Sequence, residues 1–137
     1  MTFVVDASIA CKWVLKEPDS DLAHNLLISG EQLIAPAIIL AEMANVFWHR
    51  SHVGEIDHIQ ASTALAGARM MISHIEPIDT LIESALDLSI RLGHPIYDCL
   101  YLALAHSENC VMITADKRFA KRASAMKLTK FVRLLTG

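Results

Sequence analysis

Cysteine is scarce in this 137-residue chain: only Cys11, Cys99 and Cys110 are present, and no two stand in CxxC spacing. That excludes a disulfide framework and a zinc knuckle. Each sits among apolar neighbours, where cysteine behaves as a small buried hydrophobe. Long apolar runs are missing too. The longest, "LIAPAIILA" at 33–41, is about half the roughly 18 residues a membrane span requires and contains Pro36. Residues 1–5 lack the basic start and apolar stretch of a signal peptide, so a cytoplasmic protein with no membrane association is expected. His49 and His52 have a spacing that can share a metal, but no second ligand pair accompanies them. No repeat, low-complexity segment or linker divides the chain. One domain spanning 1–137 is expected, large enough to bury its own core.

The composition that remains is apolar: hydrophobic residues make up 53% and mean hydropathy is +0.38. Surplus apolar surface is expected to be covered by the chain itself or by a partner. The net charge of −3 argues against a polyanion ligand, yet its distribution argues for one. Seven of the twelve basic residues (Lys117, Arg118, Lys121, Arg122, Lys127, Lys130, Arg133) follow Asp116, and no acidic residue does. A basic end on an acidic body is a candidate nucleic-acid footprint. A solvated basic helix face is the ordinary alternative.

Hydrophobic periodicity gives alternating elements. "TFVVD" (2–6) reads as a buried strand, followed by helices over 8–16 and 19–28. "EQLIAP" reads as a strand, then helices cover 37–52 and 55–72. "HIEPI" is a weak strand, helices follow at 79–92 and 97–108, "VMITA" is a strand, 116–126 a helix, and "FVRLL" a last strand. Strands of nearly continuous apolar character separated by helices imply an α/β fold with a parallel sheet covered on both faces. Ligands of such sheets bind beyond the carboxyl ends of the strands.

Four acids stand in unusual places in this frame. Asp6 closes the first strand in "VVDAS", with Ser8 two residues on. Asp116 has the same relation to the strand 111–114, with Thr114 before it, in "VMITADKRF". Either aspartate can be a simple helix cap. Glu42 lies on the apolar stripe of its helix with Ile38, Ile39 and Val46. Asp98, in "YDCLYLALA", shares a face with Tyr101, Leu102 and Ala105, and also suits a first helical turn. Ionised carboxylates are rarely buried without a partner, and none of the four has an evident lysine or arginine in the sequence. Carboxylates about 5 Å apart at an effective dielectric of about 20 repel by roughly 3 kcal/mol per pair, so a converging set calls for a cation. Hard oxygen ligands in this number select Mg²⁺ or Mn²⁺ over zinc.

In order and spacing, "VVDAS", Glu42 in "LAEMANV", "YDCLYLALA" and "VMITADKRF" resemble the acidic motifs of PIN-domain nucleases, and most nearly those of VapC toxin ribonucleases of toxin–antitoxin pairs. The likeness spans essentially the whole chain. It implies a three-layer α/β/α sandwich around a central parallel sheet and Mg²⁺- or Mn²⁺-dependent cleavage of RNA. Asp6, Glu42, Asp98 and Asp116 would be the acidic quartet, with Ser8 and Thr114 as polar supporters. Lys117, Arg118, Lys121 and Arg122 would begin a basic rim for the RNA backbone. The resemblance further implies a homodimer and a small cognate antitoxin that covers the site and an apolar groove beside it. One departure is Cys99, where the family more often has alanine or serine; a thiol there would sensitise the site to oxidation. A phosphotransfer domain would want a second acid after Asp6, which "DAS" lacks. A catalytically inert RNA- or protein-binding module on the same fold would be expected to have lost one or more of the four acids, and all are present.

Overall fold

The computed structural model describes residues 1–136, leaving Gly137, the last residue of the expected 1–137 domain, outside the described part. Five strands, β1 (Thr2–Val5), β2 (Gln32–Pro36), β3 (His74–Glu76), β4 (Val111–Thr114) and β5 (Val132–Leu134), form one sheet in the order β3-β2-β1-β4-β5, with every pairing parallel. The helices are α1 (Ala7–Val14), α2 (Ser20–Ile28), α3 (Ile38–His52), α4 (His58–Met71), α5 (Ile82–Leu92), α6 (Ile96–Ser107) and α7 (Lys117–Ala125). From β1 the chain steps outward through β2 to β3, then crosses back to β4 and continues to β5. Right-handed crossovers therefore place α1–α4 on one face and α5–α7 on the other. This is the α/β/α sandwich expected from the alternating pattern.

The sheet reads as apolar because both faces are covered: Val4, Val5, Ala35 and Met112 are fully buried. Helix α6 is buried all round from Cys99 to Ala105, as a helix without a polar stripe must be. It presses against β1, β2 and β4. Sequence and structure differ mainly at element ends. Residues 78–80 form a tight 3-10 turn before α5, and α4 begins at His58 because Asp57 and Gln60 close a reciprocal capping box.

The strand order reverses between β1 and β4. Because β1 pairs with both β2 and β4, the loops after β1 and β4 diverge to opposite faces and open a crevice at the carboxyl edge. Val5 pairs with Ile113, which brings Asp6 and Thr114 to the same level there.

Candidate active site

Asp6 is only 6% exposed and both of its oxygens are occupied. Ser8 Oγ donates to Oδ1 at 2.5 Å, the Ile9 backbone N–H reaches the same atom at 3.2 Å, and Thr114 Oγ1 donates to Oδ2. Asp6 is thus the N-cap of α1 as well as the residue that closes β1. Thr114, fully buried, also accepts from the Asp116 backbone N–H at 3.0 Å, and Ser8 Oγ accepts from the Ala115 N–H at 3.2 Å. The two supporters predicted from sequence therefore lace the ends of β1 and β4 together.

Burial raises the Asp6 carboxyl from 3.8 to about 6; its three hydrogen bonds act against that shift, and the charge of Asp98 adds to it. Glu42, in the second turn of α3, is half-buried. It accepts from Tyr101 Oη at 2.5 Å, and its carboxyl is also pushed up, first by burial and then by Asp98, against the Tyr101 hydrogen bond. Tyr101 is fully buried, and its phenol is held protonated by burial and by the charge of Glu42. Asp98 does not cap α6. Its Oδ2 faces His94 Nε2 at 2.5 Å. Asp116 caps α7 through Oδ1, which accepts from the N–H groups of Arg118 at 3.0 Å and Phe119 at 3.1 Å.

Asp6, Glu42 and Asp98 thus share one electrostatic field, and Asp116 joins them through Thr114. Among the described residues, none of the four is ion-paired to lysine or arginine. Lys12 and Arg50 go to Glu17 and Glu55, and Arg91 goes to Asp87. Chemistry and charge of this donor set fit a hard divalent cation. The ligand geometry is not preformed: among the described residues, no three acid, cysteine or histidine side chains stand close enough to hold one ion.

The four residues expected to begin a basic rim share one helix. Lys117, Arg118, Lys121 and Arg122 are all exposed on α7, which anchors itself through Phe119 and Ala123. Lysine and arginine in a first helical turn oppose the helix dipole by about 0.3–1 kcal/mol each, a placement that folding alone does not favour. Arg133 and Lys130 instead lie over the rings of Phe3 and Phe131.

Sequence reasoning missed Tyr101 and His94 as partners of the acids. It also missed the groove of about 450 Å³ beside Glu42, whose wall includes Ser8, Lys12, Glu17 and Asn45. The signals were faint: a phenol in an otherwise apolar helix needs a polar partner, and His94 stands four residues before Asp98. Cys99 is fully buried, and its thiol is pushed up to about 11 by burial and by Asp98, away from the thiolate form that oxidation requires. His49 and His52 flank Trp48, with His52 stacked on its ring at 5.2 Å.

A doubly wound parallel sheet with an acidic crevice at its switch point defines a class of α/β domain. Within it, the PIN domain family matches residues 3–125, and the chain belongs to that family. It is 24% identical over 128 residues to "Ribonuclease VapC3" of Pyrobaculum aerophilum, an alignment covering 92% of this chain and 98% of that protein. A crystal structure of a Pyrobaculum aerophilum protein superposes with a TM-score of 0.72 at 21% identity, covering 98% of this chain and 90% of the other. A chain from a "Toxin-antitoxin complex from Klebsiella pneumoniae" superposes at 0.62 with 16% identity, covering 97% and 95%.

Proposed function

We propose that this chain is a single-domain, cytoplasmic, divalent-metal-dependent endoribonuclease of the VapC toxin type. RNA is its substrate, Mg²⁺ or Mn²⁺ its cofactor, and a small antitoxin protein its inhibitor. The observation that carries this reading is the acidic crevice itself. Asp6, Glu42 and Asp98 crowd one field at the carboxyl edge of a PIN-domain sheet, two of them pushed toward protonation, and among the described residues none is paired with lysine or arginine. Asp6, Glu42, Asp98 and Asp116 would hold the cation, which would supply charge neutralisation at the phosphodiester and activation of water. The chain's own residues do the rest. Ser8, Thr114 and the Ile9 N–H fix the Asp6 carboxylate, Tyr101 fixes Glu42, and Lys117, Arg118, Lys121 and Arg122 align the RNA backbone without reading its sequence.

Two apolar surfaces support the expected partners. A groove of about 470 Å³ between α1 and α4, whose lining includes Val14, Leu15, Ile56 and Ile59, is a seat for an antitoxin segment. Ile82, Leu86 and Ile90 recur at helical spacing on the exposed side of α5 and are a surface on which two copies can pair. The inert-module alternative has one observation in its favour, namely that no three of the acids already stand in ligand geometry.

A covalently closed single-stranded RNA separates these readings, because only an endonuclease opens a circle. Purified free protein is expected to linearise it with Mg²⁺ or Mn²⁺ present. Binding without cleavage under any divalent ion would establish the inert module.

The rim is tested apart from the chemistry. Single-stranded RNA loses about 0.7 from its log–log salt slope per phosphate contact removed, so Lys117→Ala/Arg118→Ala/Lys121→Ala together should reduce that slope by up to about 2. Arg122 is left in place because it also donates to the Gly93 carbonyl. An unchanged slope would make these residues a solvated face.

A further inference from the structure

We infer that His94 is a positioning residue for the reaction: its Nε2–H holds one oxygen of Asp98 and so leaves the other aimed for a bound cation. The inference rests on the metal-site reading above and adds a positioning residue for Asp98 to it.

Both the ring and the backbone of His94 are held in place. Its side chain is 8% exposed and packs on the Phe119 ring at 4.8 Å between centroids. Its backbone is clamped at both ends by one residue, since its N–H donates to the Ser89 carbonyl at 3.2 Å and its own carbonyl accepts from Ser89 Oγ at 2.5 Å. Gly93 before it has φ of 61°, a left-handed conformation that glycine adopts without cost, and Pro95 after it fixes the chain at φ of −54°. Arg122 of α7 donates to the Gly93 carbonyl, tying the turn to the basic rim.

A ring held this firmly has one polar contact. Nδ1 is buried and, among the described residues, has no hydrogen-bond partner, so the ring's entire polar function is the 2.5 Å contact from Nε2 to Asp98 Oδ2. Among the described residues Asp98 Oδ1 accepts no hydrogen bond from the protein. One oxygen is pinned and the other is left open, the arrangement in which an outer partner orients a ligating carboxylate. Phe119, against which the ring rests, also donates its N–H to Asp116 Oδ1 at 3.1 Å. His94 thereby fixes Asp98 relative to the helix that Asp116 caps.

The test is Mn²⁺ affinity of the RNA-free protein, read by electron paramagnetic resonance of the unbound ion, for wild type, His94→Leu, His94→Gln and Asp98→Asn. Leucine keeps apolar volume and removes the donor, whereas the glutamine amide nitrogen can take the place of Nε2. His94→Leu is expected to weaken Mn²⁺ about 10–100-fold, with His94→Gln within about threefold of wild type, the size usual for loss of an outer-sphere partner. At saturating Mg²⁺ and RNA, His94→Leu should lower kcat and leave KM unchanged. Wild-type Mn²⁺ affinity in His94→Leu, or equal losses in the leucine and glutamine variants, would overturn the inference and make His94 a packing residue. Undiminished affinity in Asp98→Asn would instead sink the metal-site reading on which it rests. If circular dichroism shows His94→Leu unfolded, His94→Asn replaces it, because its amide falls one carbon short of Asp98 while the ring pocket stays polar.

Discussion

Asp6→Asn and Asp98→Asn should each lower RNA cleavage by at least about a hundredfold at saturating Mg²⁺, and excess EDTA should abolish wild-type cleavage. A hundredfold corresponds to about 2.7 kcal/mol of lost transition-state stabilisation, a modest demand for removal of a charged metal ligand. The two variants act differently on the protein. In Asp98→Asn the side-chain oxygen can still accept from His94 Nε2, so the change is confined to the charge and the open oxygen. In Asp6→Asn the amide meets Ser8 and Thr114, whose hydroxyls now both donate to the carboxylate, and one of them must turn. Full cleavage by both variants, or by wild type in EDTA, would remove the acids from the chemistry.

The same Asp6→Asn change should stabilise the metal-free protein. Most substitutions at a residue this buried destabilise. Here the folded state holds the carboxyl at about 6 against 3.8 for the free group, so folding favours its protonated form. That contribution is complete below about pH 4 and is lost as pH rises through about 6, beyond which the ionised group costs up to about 3 kcal/mol. The variant's advantage is therefore small at pH 4, grows to pH 6 and is flat above. After allowance for the hydroxyl that must turn, about 2 kcal/mol should remain at pH 7.5, a rise in Tm of roughly 6 °C for a chain of this size. Mn²⁺ binds the folded state alone and should raise the Tm of wild type, and that of the variant much less. Melting curves in EDTA and in Mn²⁺ at pH 4.5 and 7.5 check this. A variant that melts lower than wild type in EDTA at pH 7.5 would show that its hydrogen bonds outweigh the buried charge.

The size of that effect comes from a source the sequence did not reveal. From spacing alone, repulsion among converging carboxylates is the expected strain. In the structure, desolvation leads for both Asp6 and Glu42, and the field of Asp98 follows. Depth of burial depends on how α6 lies across the sheet, which no local pattern encodes. What was legible depended on periodicity. The run from Ile38 to His52 gives α3 almost to the residue, and the apolar segments give all five strands. Asp6 and Asp116 answer to the capping description that the sequence allowed them. Each caps a helix, and Asp116 does so with Oδ1 alone. The pairings of Tyr101 with Glu42 and of Thr114 with Asp6 span 59 and 108 residues of sequence, so they come into view only with the fold. His94 is near Asp98 in sequence, but its packing on Phe119 and the tie from Arg122 to the Gly93 carbonyl come from α7.

A titration of RNA-free protein with Mn²⁺, carried out on wild type and on Asp6→Asn, Glu42→Gln, Asp98→Asn and Asp116→Asn, tests most directly whether the four acids form one cation site. Wild type should bind Mn²⁺ and each variant should bind it at least about tenfold more weakly, as expected when one member of a shared ligand set is lost. Mn²⁺ bound equally by wild type and all four variants, or by none of them, would contradict the site as described.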